Sequence, residues 1–440
     1  MEFSVRWHER QELRWRVCML SVHTCPLAML GGKETGGMNV YVRDLSRALG
    51  ERGIAVDVFT RSQNPCVVRV SHELGPRCQV IHVPAGPEQP YDKNKVYDHL
   101  PQFIAGVKAY AAFKGHRYDL IHSHYWLSGA VAQVLAHEWQ VPVIHMFHTL
   151  GELKNLVAQR PEERESEVRL RVEHEIAATA DRLVAASPLE KQQLIELYGA
   201  DPDRIAVVPC GVDLRRFHPI PQEVARAKLG LPREQRLVLF VGRIEPLKGI
   251  DTLIRAMPRV VEKLPRGQHD VSVAIIGGDA SDDPARLTAE MARLRALRNE
   301  LGLEDLVTFL GARSQEMLPL YYSAADVVVM PSHYESFGMV ALEAMACGTP
   351  VIASRVGGLK YTVLHEVTGL HVPVRDPNAL AEELVRLLTD RALRERLGSQ
   401  AARLVQRYSW DVVVQEICRI YEELVPQSAQ IPSESSCGYY

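Results

Sequence analysis

The fold is decided by residues 237–263, which begin Leu237-Val238-Leu239-Phe240-Val241-Gly242-Arg243-Ile244-Glu245-Pro246-Leu247-Lys248-Gly249-Ile250-Asp251-Thr252-Leu253-Ile254 and end at Lys263. The unbroken apolar run 237–241 predicts a strand buried on both faces, as in a parallel sheet. Gly242, Pro246 and Gly249 break it. From Asp251 to Lys263 the apolar residues recur at helical spacing. The stretch is one strand–loop–helix unit.

The same alternation extends outward. Apolar runs occur at 16–22, 54–60, 78–83, 118–123, 142–146, 182–186 and 204–208, and again at 236–242, 271–277, 306–310, 326–330, 350–353 and 369–372. Helical spacing marks 38–52, 251–263, 283–301 and 378–388. Strands alternating with helices give an α/β class with parallel sheets. The alternation pauses over 209–236, where Pro219, Pro221 and Pro232 fall. The reading is two Rossmann-like doubly wound domains, 1–212 and 213–425, facing a cleft. The helix at 410–424 is free to pack back on the first domain. Residues 426–440, with four Ser and two Pro, read as a disordered tail. Ligands bind at the carboxyl ends of strands in such sheets, so one domain can hold a donor and the other an acceptor.

Composition narrows the function. The 440 residues carry 51 basic and 54 acidic side chains, a net charge of −3, which argues against a nucleic-acid partner. No apolar run reaches the ~18 residues that span a bilayer. Residues 1–10 lack a signal-peptide core, so a cytoplasmic protein is expected. The eight cysteines form no C-x-x-C pair or ligand cluster, so neither a zinc site nor a disulfide framework is expected.

Four stretches could carry chemistry. Residues 31–41, Gly-Gly-Lys-Glu-Thr-Gly-Gly-Met-Asn-Val-Tyr, open the first helix, where Gly37 N–H suits a phosphate. They match neither G-x-G-x-x-G nor a P-loop. Arg243 and Lys248 stand at a strand end and suit a diphosphate, above all a departing one. Glu335-Ser336-Phe337-Gly338 precede a helix read from Phe337 to Gly348, and Glu343 lies inside it among apolar residues, where a carboxylate needs partners such as ligand hydroxyls. Eight residues on one helix would separate Glu335 and Glu343 by about 12 Å, beyond the ~5–9.5 Å of glycosidase pairs. His122, His124, His145 and His148 gather at two strand ends. A metal on the H-x-H at 122 and 124 would lack a third ligand. Asp201-Pro202-Asp203 reads as a turn, not as a metal-binding D-x-D.

In their order, Gly-Gly-Met-Asn-Val-Tyr at 36–41, Gly-Arg-x-x-x-x-Lys-Gly at 242–249 and Glu-x7-Glu at 335–343 resemble the retaining family-four glycosyltransferases of the two-domain GT-B fold. The resemblance runs from about residue 16 to about 424. It implies that Glu343 binds the nucleotide ribose, and that Glu335, Ser336, Phe337 and Gly338 hold the donor sugar. It also implies that Arg243, Lys248 and Gly37 meet the diphosphate, and that His148 sits by the transferred sugar. The implied catalytic set is His148, Arg243, Lys248 and Glu335. No cofactor or essential metal is expected, a UDP-sugar being the co-substrate, and a homodimer is compatible with the family.

Ser21-Val22-His23-Thr24 and residues 119–129, Asp-Leu-Ile-His-Ser-His-Tyr-Trp-Leu-Ser-Gly, are similar to the inositol-phosphate N-acetylglucosaminyltransferases of mycothiol synthesis. That likeness implies acceptor-phosphate contacts at Asn39, Tyr125, Thr149, Arg169 and either Lys93 or Lys95. Sucrose-phosphate synthases share the frame, with a lysine at the position of Lys154. Transfer of a hexose or N-acetylhexosamine to a small phosphorylated acceptor is the expected reaction. The alternatives are sucrose-phosphate synthesis and a sugar-nucleotide epimerase or binding protein on the same fold.

Overall fold

The computed structural model describes residues 15–28, 36–158, 161–265, 270–279 and 287–425. Residues 1–10, Gly31–Thr35 of the first motif, and the tail 426–440 with Cys437 lie outside the described residues. Two sheets organise the chain. The first holds β1 (Arg16–Leu20), β2 (Ala55–Arg61), β3 (Val70–Ser71), β4 (Cys78–Val83), β5 (Leu120–His124), β6 (Val143–Met146), β7 (Arg182–Ala185) and β8 (Ile205–Val207). The second holds β9 (Arg236–Val241), β10 (Val271–Ile276), β11 (Val307–Gly311), β12 (Val327–Met330), β13 (Val351–Ser354) and β14 (Gly369–Val372).

Strand order is β3-β4-β2-β1-β5-β6-β7-β8 in the first sheet and β11-β10-β9-β12-β13-β14 in the second. Every pairing is parallel except β3 with β4. The order reverses between β1 and β5 in one sheet and between β9 and β12 in the other. These reversals open the crevices in which doubly wound folds bind ligands. The strands are apolar because both faces are covered: Val17, Cys18, Met19 and Leu20 of β1 have no exposed surface.

The terminal helix, Trp410–Leu424, returns to the first sheet. Tyr421 Oη lies 2.8 Å from His122 Nδ1, its ring packs edge-on against Trp15, and Val212 N–H donates to the Tyr408 carbonyl at 2.9 Å. Thus the last element after the second sheet is pinned to the first.

Two helices differ from their sequence reading. The one expected from Phe337 runs Met339–Ala346, because Gly338, at φ 96°, sits in a left-handed N-cap that helical backbone cannot continue. Of the one expected over 283–301, residues 283–286 lie outside the described residues, and the helix runs Ala289–Glu300, with Thr288 accepting from Met291 N–H as its cap. The Asp201–Asp203 pair is a turn, with Asp201 Oδ1 accepting from Asp203 N–H at 3.0 Å. The described cysteines are free, and no described helix is long and apolar enough to cross a membrane.

Candidate active site

The loop after β9 carries the first two cations. Gly249 (φ 64°) turns the chain into helix Ile250–Lys263, and a Cβ there would lie 2.1 Å from the Pro331 carbonyl oxygen. His333 N–H donates to the Leu247 carbonyl at 2.8 Å, tying this loop to the one after β12. The fold thereby brings Lys248 Nζ to 2.6 Å from Glu335 Oε2, both half-buried. Arg243 pairs with Glu245 at 2.7 Å.

Loop 335–338 is fixed from beneath. Gly358 N–H donates to the Glu335 carbonyl at 3.1 Å, and a Cβ on Gly357 would lie 1.8 Å from that oxygen. Helix Met339–Ala346 then buries Glu343, whose Oε2 accepts from Tyr322 Oη–H at 2.7 Å. Burial pushes the Glu343 carboxyl up to about 7.

The first sheet supplies the opposite wall. Helix Gly37–Glu51 starts against the second domain: a Cβ on Gly36 would lie 3.4 Å from Arg243 Nε, and one on Gly37 3.2 Å from Met339 Sδ. Asn39 lines the cleft, but its amide is engaged within the protein. It donates to Thr24 Oγ1 at 2.6 Å and to the Cys25 carbonyl at 2.7 Å, and accepts from Gly36 N–H at 2.9 Å. Its immediate work is to shape the loop at the helix start.

Tyr125 (φ 74°) and His148 (φ 60°) follow β5 and β6 in left-handed backbone, a strained state for non-glycine residues that clusters at functional sites. Behind them lies the wholly buried Arg169 guanidinium. It donates to Glu173 Oε1 at 2.7 Å, Tyr125 Oη at 3.0 Å, and the Thr149 carbonyl and hydroxyl at 2.9 and 3.1 Å. Glu165 joins Arg169 at 2.9 Å and also pairs with Lys154, whose amine burial holds below its ordinary range.

These residues converge on one cleft of ≈ 370 Å³ between the sheets. Its lining includes Gly37, Asn39, Lys93, Tyr125, His148, Thr149, Lys154, Arg243, Lys248, Glu335, Ser336, Phe337, Gly338 and Glu343. Arg169 stands one layer behind, and Lys95 is exposed outside the lining, so of the two lysines it is Lys93 that faces the cleft. Of the four histidines only His148 lines the cleft, while His122, His124 and His145 are buried. Among the described residues no cluster of three metal-ligating side chains occurs.

Sequence reasoning missed several cleft residues. His23 packs against Tyr125 with ring centroids 4.3 Å apart and planes tilted by 38°. Gly277, Ala312 and Arg313 follow β10 and β11 and close the far end. Their signal was position alone: each lies within three residues of the carboxyl end of a strand.

Comparison with known proteins fits this architecture. Residues 35–216 match the family described as Glycosyltransferase Family 4, and residues 221–404 the family described as Glycosyl transferases group 1. The chain is 43% identical to a D-inositol 3-phosphate glycosyltransferase of Thermomonospora curvata, over 92% of this chain and 95% of that protein. It is 42% identical to one of Kineococcus radiotolerans, over 94% and 96%. Among solved structures it is similar to a sucrose-phosphate synthase from Thermosynechococcus elongatus, with 39% identity, a TM-score of 0.85, and coverage of 93% and 99%. The chain therefore belongs to the family-four glycosyltransferases of the GT-B fold and is a nucleotide-sugar-dependent transferase.

Proposed function

We propose that this enzyme transfers N-acetylglucosamine, or a related hexose, from a UDP-sugar to a hydroxyl of an inositol phosphate, with retention at the anomeric carbon. The observation that carries the acceptor assignment is the buried Arg169 array. Arg169 holds Tyr125 and Thr149 in place, while Lys93 and Lys154 line the same wall. Hydroxyls and cations so arranged suit a phosphate. The relatives named D-inositol 3-phosphate glycosyltransferases support inositol as the rest of that acceptor.

On the facing wall, Arg243 and Lys248 would neutralise the diphosphate as the bond from C1 to its oxygen breaks. Glu335 and Glu245 would release those cations to the donor, and Glu335 would turn to sugar hydroxyls. Glu343 would accept from the ribose. The acceptor oxygen bonds C1 on the face the diphosphate leaves, and its proton passes to a diphosphate oxygen. Two side-chain cations on the leaving group make a metal dispensable in this scheme. The first domain would thus serve the acceptor and the second the donor.

The likeness to a sucrose-phosphate synthase favours fructose 6-phosphate as the competing acceptor. Nucleotide release from UDP-N-acetylglucosamine and UDP-glucose, each with inositol 3-phosphate, fructose 6-phosphate or no acceptor, separates the readings. The proposal expects release only with inositol 3-phosphate. Release that needs fructose 6-phosphate would reassign the enzyme, and release without an acceptor would favour an epimerase or hydrolase.

A further inference from the structure

His148 is tethered to a second histidine that no substrate reaches. Its Nε2 lies 3.0 Å from Nδ1 of His124, which is wholly buried. The other nitrogen of His124, Nε2, lies 2.9 Å from Sδ of Met19 on β1. A thioether sulfur accepts a hydrogen bond and cannot donate one. A bare nitrogen lone pair facing sulfur lone pairs at that distance is repulsive, so the proton of neutral His124 sits on Nε2. Its Nδ1 is then the acceptor, and the donor between the two rings is His148 Nε2–H. Burial keeps both rings neutral, lowering His148 to about 3 and His124 well below its usual value. One proton per ring leaves Nδ1 of His148 with a lone pair.

The packing holds these rings in register. Tyr41 sets its ring edgewise to both, with centroids 5.6 Å from His124 and 5.2 Å from His148. His122 lies 4.5 Å from His124 by ring centroids and is itself tethered to Tyr421 of the terminal helix.

We propose that His124 is a positioning residue: with Met19 it fixes His148 as the Nε2–H tautomer, so that Nδ1 of His148 accepts a hydrogen bond from a substrate hydroxyl in the cleft. The proposal rests on the reading that places His148 at the reacting sugar. A tautomer fixed by a buried partner needs no proton exchange with solvent on binding.

The direct test is the ring nitrogen shifts of the full chain labelled with ¹⁵N-histidine, the His148 signals being those lost in His148→Asn. The expected result is a protonated Nε2 and a bare Nδ1 from pH 6 to 8. In Met19→Leu, which removes the sulfur acceptor, both rings should become tautomer mixtures. In turnover, His124→Leu should lower kcat about tenfold with both KM values little changed. His124→Asn, whose Oδ1 replaces the Nδ1 acceptor, should recover most of that loss. Loss of equal size in the two variants would overturn the proposal. An Nδ1–H tautomer in the wild type, with His148→Asn impaired, would overturn it while leaving the site reading intact. Unimpaired turnover in His148→Asn would overturn the site reading and this proposal together.

Discussion

Lys248 and Arg169 are both cations beside carboxylates, yet their substitution should have opposite signatures. Lys248 is half-buried on the cleft wall, and in the proposed reaction the charge it would meet grows as the diphosphate leaves. Lys248→Ala should lower kcat by about 10²–10³ with little change in melting temperature; unchanged turnover would remove it from the site. Arg169 neutralises Glu165 and Glu173 in the interior. Arg169→Ala leaves Glu173 without its cation and Glu165 with Lys154 alone, and should destabilise the fold by about 3–5 kcal/mol. Phosphate recognition is better probed by Tyr125→Phe, which should raise the acceptor KM about tenfold, ~1.4 kcal/mol, and leave the donor KM unchanged. Equal effects on both would make Tyr125 structural.

Glu343 adds a pH signature. Its carboxyl keeps its proton in the folded protein up to about pH 7, whereas in the unfolded chain it ionises near 4.5. Between those values the unfolded chain binds fewer protons, so this group makes stability fall as pH rises. Glu343→Gln should therefore raise the melting temperature more at pH 8 than at pH 5, while weakening donor binding. Equal gains at the two pH values would contradict the burial argument. The sequence placed Glu343 in an apolar helix and required a partner for it. That Tyr322, 21 residues earlier, supplies one is a tertiary fact that spacing does not encode.

At the scale of elements, the strands were legible because each is covered on both faces and reads as an unbroken apolar run, as in 237–241. The loops were legible in composition and not in contact. Nothing in 242–249 says that Gly249 must admit the Pro331 carbonyl, or that Gly357 and Gly358 lie beneath Glu335. Those approaches depend on β12 lying between β9 and β13. Gly249→Ala tests the point against Gly230→Ala. The two glycines share nearly the same φ, 64° and 68°, but a Cβ on Gly230 meets open space. Gly230→Ala should cost about 1–2 kcal/mol of backbone strain alone. Gly249→Ala should cost more and also lower kcat, because the loop that aims Lys248 must move. Matching losses in stability and turnover would show that the packing against Pro331 has no bearing on the site.

At the scale of the molecule, the two sheets present their reversal points to one another. Two features carry that arrangement across the chain. The terminal helix leaves the second sheet and packs on the first through Tyr421, and Arg43 of the first helix joins Arg216 in hydrogen-bonding Gln315 on the cleft's far rim. Alternation in the sequence predicted two units with a cleft between them. It did not reveal which of two lysines, 93 or 95, faces inward, because both lie within a turn of one short helix, Lys93–Val96. The central claim is that one wall of this cleft reads a phosphate on the acceptor. It is tested most directly by comparing kcat/KM for inositol 3-phosphate and for unphosphorylated inositol, with UDP-N-acetylglucosamine as donor. The account predicts a preference of at least about 100-fold for the phosphorylated acceptor, ~2.7 kcal/mol. Equal values for the two acceptors would contradict it.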